Sequence, residues 1–188
     1  GGSPAQLMEK EEKEKEIPSS TSWVVEGKLL AGPVPNNGLS QVLARDVGVE
    51  VFVNLIKKDE WDYLCNIGFE YVQDARKATN KKIEMDTSFG MTDHTADTKT
   101  VVGAAKRLHQ LIESGKTTYL HCLGGYGRTG TVTAAYLGKY CGMDLKAALA
   151  RAEELYKMRS NRKRKRFPES EEQLEVVKEI LAQTKMDS

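Results

Sequence analysis

Residues 117–131 constrain this chain more than any other stretch: Thr-Thr-Tyr-Leu-His-Cys-Leu-Gly-Gly-Tyr-Gly-Arg-Thr-Gly-Thr. Thr117 to His121 reads as a short buried strand, and residues 129–141 read as an apolar helix beginning near Arg128. Three glycines lie between them: Gly124, Gly125 and Gly127. A glycine-rich turn from a strand into a helix lets successive backbone N–H groups converge, and the helix N-terminus adds its positive dipole end. That combination is an anion cradle. Such a turn also demands a sheet whose strand leads directly into a helix, which is α/β architecture.

The other segments agree with that architecture. Trp23–Val25 and Leu29–Ala31 read as short strands, Leu39–Val47 as helix, and Val49–Ile56 as a buried strand. Asp59–Ile67 reads as helix, Phe69–Val72 as strand, and residues 73–97 as irregular polar chain. Residues 98–114, 144–158 and 170–184 carry helical apolar spacing. The expected fold is α/β, with a central, mainly parallel sheet flanked by helices. The expected organisation is a charged tail over residues 1–21, helical or disordered, followed by one domain over 22–188. Within the tail, residues 9–16 are solid charge and contribute nothing to a core.

Composition narrows the class of function. There are 28 Lys and Arg against 27 Asp and Glu, a formal net charge of +1, so a wholesale nucleic-acid binder is not expected. No apolar run is long enough to span a bilayer, and no hydrophobic signal segment opens the chain. The three cysteines, Cys65, Cys122 and Cys141, are an odd number in a chain of 188 residues. They point to reduced thiols in a cytoplasmic setting, not to a disulfide framework.

Within the glycine-rich turn, Cys122 sits at the mouth of the cradle, where converging N–H dipoles favour a thiolate. Arg128 follows at the first helical turn, placed to grip two phosphate oxygens. Thr129 brings a hydroxyl close to the sulfur. An anion cradle with an activated thiolate at its base is suited to nucleophilic attack on phosphorus. The alternative for Cys122 is a buried structural thiol.

The string His-Cys-x-x-Gly-x-Gly-Arg-Thr-Gly resembles the signature loop of the cysteine-dependent protein tyrosine phosphatase superfamily. The short chain and the Gly-Arg-Thr-Gly ending resemble its small dual-specificity members most, over roughly residues 22–184. The resemblance implies a phosphatase that needs no metal or cofactor. It implies that Cys122 forms a phosphocysteine, and that Arg128 and the N–H groups of Leu123, Gly124, Gly125, Tyr126 and Gly127 hold the phosphoryl oxygens. It further implies that Thr129 helps the thiolate leave and that His121 tunes it. The competing reading of His121 is a satisfied core histidine.

The family also uses an aspartate on an upstream loop as general acid. Asp93, in Met91-Thr-Asp-His94, aligns best with it. Asp97 is better explained as the cap of the helix that follows, and Asp86 is a weaker candidate. The prolines usual around this acid are replaced by Thr92 and Ala96.

The signature loop carries no lysine, which weakens a phosphoinositide or inositol phosphate substrate. The expected partner is a phosphorylated protein. The rivals are the same chemistry on an inositol phosphate, a phosphoinositide or an RNA 5′ end, and a silent phosphate-binding module. The dense basic run Arg162–Arg166 fits an acidic partner, a nuclear-import signal or simply a solvated loop. Tyr126 either edges the pocket or packs on a helix. Ser170 and Gln173 match a capping box, with water positioning a second role for Gln173. Cys65 and Cys141 are either buried residues or oxidation partners for Cys122. No histidine has ligand spacing with the cysteines, so a zinc site is not expected.

Overall fold

In the computed structural model, residues 16–160, 162–163 and 166–187 are described. Five strands form one sheet: β1 (Ser22–Val25), β2 (Leu29–Gly32), β3 (Val51–Asn54), β4 (Glu84–Asp86) and β5 (Thr118–His121). The order is β1-β2-β5-β3-β4. Only β1 pairs antiparallel; the other three pairings are parallel. Strands β2, β3 and β5 are buried at every residue, as expected when helices cover both faces of a parallel sheet.

The register positions the site. His121 lies opposite Gly32 on one side and Asn54 on the other, so three parallel strands end on one line. Their carboxyl ends release three loops side by side, with the Cys122 loop in the middle. Ligands of open α/β sheets bind at this edge.

Among the described residues, seven α-helices flank the sheet: α1 (Leu39–Val42), α2 (Lys58–Asn66), α3 (Val72–Lys77), α4 (Thr98–Glu113), α5 (Gly127–Cys141), α6 (Leu145–Lys157) and α7 (Glu171–Asp187). Helix α1 runs on into a wider π-helical turn over Leu43–Val47. Helix α5 is central and packs against α4, α6 and α7. Most of its residues are buried, and many of them are Gly, Ala or Thr. Small side chains let neighbours approach closely: a Cβ on Gly138 would sit 2.5 Å from the Leu181 side chain of α7.

Caps delimit the helices as the sequence suggests. Asp97 accepts from the Thr100 N–H (3.0 Å) and hydroxyl (2.7 Å), which together hold its carboxyl below the usual range. Asp144 accepts from the Ala147 N–H at 2.8 Å, and Ser170 Oγ from the Gln173 N–H at 3.2 Å.

One predicted strand is wrong. Phe69–Val72 is not paired in the sheet; it leads into α3. Glu70 Oε1 accepts from the Val72 N–H at 2.9 Å and starts the turn, and Val72 and Ala75 bury at helical spacing. The edge strand is instead β4, inside the stretch read as irregular.

Candidate active site

Seen through its carbonyls, the 122–127 loop is an anion cradle. His121 Nδ1 lies 2.9 Å from the Cys122 carbonyl, and the Val34 N–H donates to Leu123 O at 3.0 Å. Arg159 Nη1 donates to Gly125 O. The Gly130 N–H donates to Tyr126 O at 2.7 Å, and Thr131 Oγ1 to Gly127 O at 2.7 Å. Five carbonyls are thus claimed from outside the loop. A trans peptide points its N–H opposite to its C=O, so the matching amides face inward. Gly125 has φ +71°, and a Cβ there would lie 2.4 Å from the Gly32 backbone. Only glycine fits that close crossing of the loop over the end of β2.

Cys122 and Arg128 line one cavity of about 180 Å³, together with Asp93, Leu123, Gly124, Tyr126, Gly127, Tyr156, Lys163 and Glu169. Cys122 is buried and unbridged. Arg128 is only 1% exposed and is held in a fork by Glu60 of α2: Nη1 to Oε2 at 2.8 Å, Nη2 to Oε1 at 3.3 Å. Nη1 also donates to Met91 O at 3.0 Å. Burial works against this charge, but the Glu60 hydrogen bond, with Cys122, Glu60 and Asp93 as nearby anions, raises its pKa on balance. Three buried polar atoms have no hydrogen-bond partner among the described residues: Arg128 Nε, Thr129 Oγ1 and Gln173 Nε2.

His121 is completely buried, and burial first, then the Arg128 charge, push its pKa down to about 4. A neutral ring has one donor, and a carbonyl can only accept. Nδ1 therefore carries the proton toward Cys122 O, and Nε2 accepts from the Tyr71 hydroxyl at 2.6 Å. Burial raises the Tyr71 phenol far above its usual range, which keeps it a donor. His121 is thus a core residue that also fixes the first peptide of the loop.

Asp93 reaches the cavity from the loop between β4 and α4. Its Oδ1 is 3.7 Å from Arg128 Nε and accepts from the His94 N–H at 3.0 Å. The prolines missing here are replaced by hydrogen bonds. Thr92 O accepts from the Thr95 N–H and hydroxyl, at 3.2 and 2.7 Å. Met91 N–H donates to Leu55 O, and Ser170 Oγ to His94 O at 2.7 Å. His94 is exposed, and its Nδ1 meets Glu169. Asp93, His94 and Glu169 place ligand-capable atoms within 4.8 Å of one another, a grouping of one histidine and two carboxylates without cysteine. Asp86 is elsewhere, paired with Arg107 of α4 at 3.1 Å.

The remaining marked residues also find their places. Tyr126 is buried with its ring 4.4 Å from Tyr156 of α6 and 5.9 Å from Phe167, so it packs as well as lining the cavity. Gln173 Oε1 reaches back to the Glu169 N–H at 3.1 Å, one residue beyond the capping-box partner. Cys141 ends α5, at whose other end the Cys122 loop lies; fifteen residues at about 1.5 Å each separate it from Cys122 far beyond disulfide reach. Burial raises the Cys65 thiol, aided by Glu70 and Asp62. In the basic run, Arg162 Nη1 donates to Lys157 O, the Lys163 N–H donates to the Tyr156 hydroxyl, and Lys163 lines the cavity. Arg164 and Lys165 fall outside the described residues. His109 stacks on Tyr140 at 4.3 Å.

Sequence reading missed Glu60, Tyr71, Val34 and Arg159. Each comes from a different part of the chain, and none carries a local pattern that marks it.

This geometry can be set beside known proteins. No curated protein sequence matches the chain. The fold is similar to Tk-PTP in its active form, with a TM-score of 0.66, 22% identity and coverage of 87% of this chain and 97% of that one. It is also similar to PTPMT1 in complex with PI(5)P (TM-score 0.65, 17% identity, 89% and 98% covered). Human DUSP28 is a third (TM-score 0.61, 15% identity, 91% and 99% covered). The family model described as Swiss Army Knife protein, DSP-PTPase phosphatase domain, matches residues 18–177. With most of its length matched and its signature loop folded at the sheet edge, the chain belongs to this family of DSP-PTPase phosphatase domains.

Proposed function

We propose that the domain hydrolyses phosphomonoesters on proteins, phosphotyrosine first and phosphoserine or phosphothreonine in addition, without a metal and through a phosphocysteine. The observation that carries this reading is the convergence of Cys122, Arg128 and Asp93 on one cavity whose floor is the inward-facing loop.

In the first step the Cys122 thiolate attacks phosphorus. An S–P bond forms as the P–O bond to the leaving group breaks, and the Asp93 carboxyl proton passes to the departing oxygen. Arg128 and the amides of residues 123–128 hold the three phosphoryl oxygens as charge builds on them. In the second step water attacks phosphorus and gives its proton to the Asp93 carboxylate. The P–S bond breaks, phosphate leaves and the thiolate returns. Thr129 Oγ1, buried and unpartnered among the described residues, donates to the returning sulfur. Gln173 Nε2 is a donor available to the attacking water.

A second reading has one observation in its favour. Lys163 lines the cavity although the loop itself has no lysine, which suits a substrate with a further phosphate, such as an inositol phosphate or phosphoinositide. The solved structure of PTPMT1 holds PI(5)P, and its fold is similar.

The test is metal-free turnover of an aryl phosphate and a phosphotyrosine peptide by the unmodified protein, Cys122→Ser and Asp93→Ala. Cys122→Ser is expected to abolish both activities. Asp93→Ala is expected to lose far more on the peptide, whose leaving group needs the proton. Phosphate binding with no turnover of either substrate would sink the protein-phosphatase reading and move the panel to inositol phosphates and RNA 5′ ends.

A further inference from the structure

The most unusual group outside the reacting set is Arg159, just beyond α6 and just before the basic run. Unlike Arg162, which is exposed, it is turned inward and only 4% exposed. Its Nε donates to Ser22 Oγ of β1 at 2.9 Å, its Nη1 to the Gly125 carbonyl, and its guanidinium carbon lies 5.7 Å from the Tyr156 ring centroid. The groups that face it are the Tyr119 phenol from β5, Tyr156 from α6, Ser22 from β1 and Cys122 from the loop. The cavity's arginine, Arg128, by contrast has carboxylate partners in Glu60 and Asp93. Among the described residues, no carboxylate is paired with Arg159.

A buried cation without an anionic partner is costly, and neutral acceptors offset that only in part. Burial does pull the Arg159 pKa down, while Tyr119, Cys122 and Tyr156 oppose this. The anion that complements its charge is the one the loop is shaped to hold. The coupling has a definite path. The peptide that joins Gly125 to Tyr126 presents its carbonyl to Arg159 and therefore its N–H to the loop interior. A charged donor on the carbonyl polarises that peptide and strengthens its N–H as a donor.

We propose that Arg159 is a positioning residue whose buried charge sets the anion affinity of the loop, acting through the Gly125–Tyr126 peptide. It does not touch substrate. This inference rests on the reading of Cys122 as the nucleophile in an anion cradle, and the controls separate the two.

The probes are inorganic phosphate, as a competitive inhibitor, and iodoacetamide, a neutral reagent that reports Cys122 thiolate across a pH series. Unmodified protein against Cys122→Ser tests the underlying reading: without Cys122-dependent alkylation, that reading fails regardless of Arg159. Arg159→Met is expected to weaken phosphate inhibition about tenfold and to slow alkylation near pH 6 by a similar factor. Arg159→Lys, which keeps the charge, is expected to recover most of both, and KM is expected to change more than kcat. A folded Arg159→Met with an unchanged alkylation profile overturns the proposal, as does an Arg159→Lys as impaired as Arg159→Met. Where Arg159→Met does not fold, Ser22→Asp against Ser22→Asn decides. A carboxylate beside Nε neutralises the cation, so only Ser22→Asp is expected to weaken phosphate; equal effects in the two overturn the charge role.

Discussion

The loop of the proposed nucleophile, Cys122, and the loop of the proposed acid, Asp93, meet in one cavity but are built in opposite ways. In the 122–127 loop Leu123 and Gly124 face solvent while Cys122, Gly125, Tyr126 and Gly127 are buried, and its carbonyls are fastened by β5, the segment after β2, the end of α6 and the first turn of α5. Asp93 and His94 have side chains 51% and 60% exposed, and they are tied to the segment before α7 by one hydrogen bond, from Ser170 Oγ to His94 O, and by the contact of His94 Nδ1 with Glu169. On the proposed mechanism the contrast separates two jobs. Binding a phosphoryl group needs a mould that does not relax, because its amides must already point inward when charge develops. Delivering a proton to varied leaving groups needs a carboxyl that water and substrate can reach.

That contrast predicts a graded series of effects. Cys122→Ser is expected to cut turnover by at least about 10⁴-fold on every phosphomonoester, because among the described residues no second thiol lines the cavity. Steady-state kinetics on one activated and one poor leaving group check it. If the acid loop serves only proton delivery, Asp93→Ala is expected to lose about 10²- to 10³-fold on a phosphotyrosine peptide and under tenfold on an activated aryl phosphate. Equal losses on both would erase the distinction between the two loops.

The stiffness of the mould is expected to show in the pH dependence of folding. His121 titrates at about 4 in the folded protein and near 6.5 when unfolded. Between those values the unfolded chain binds more protons, so stability is complete above about pH 6.5 and falls as pH drops toward 4. The loss is on the order of 3 kcal/mol, read from denaturant midpoints across that range, and His121→Asn is expected to flatten it.

The smallest effect belongs to the tether. His94→Ala is expected to cost about three- to tenfold in kcat on poor leaving groups, with the melting temperature nearly unchanged. A large melting shift would mean that the acid loop is part of the rigid core after all.

The same contrast explains what could be read in the sequence. Cys122, Arg128 and Thr129 are legible as candidates because strand, turn and helix follow one another in fifteen residues, and the local pattern carries the proposed chemistry. Asp97 is legible as a cap for the same reason. The supports of the loop are not legible. Glu60, Tyr71 and Arg159 lie far from it in sequence and meet it only after the sheet closes. Arg159 is further masked because it adjoins a basic run that reads as surface. Phe69–Val72 departs from its strand reading because a short aromatic and β-branched run, Phe-Glu-Tyr-Val, fits a strand as well as the entry to a helix. The true edge strand, β4, is only three residues long and half-buried, too short to show a period.

The central claim is that Cys122 carries the phosphoryl group between the two steps. The most direct measurement is mass spectrometry of Asp93→Ala quenched during turnover of an activated aryl phosphate. Without the carboxylate that accepts a proton from water, the second step slows and the intermediate accumulates. The expected result is one phosphoryl group on the peptide that contains Cys122, absent from Cys122→Ser. Sustained turnover with that peptide unmodified, or a phosphoryl group on any other residue, would contradict it.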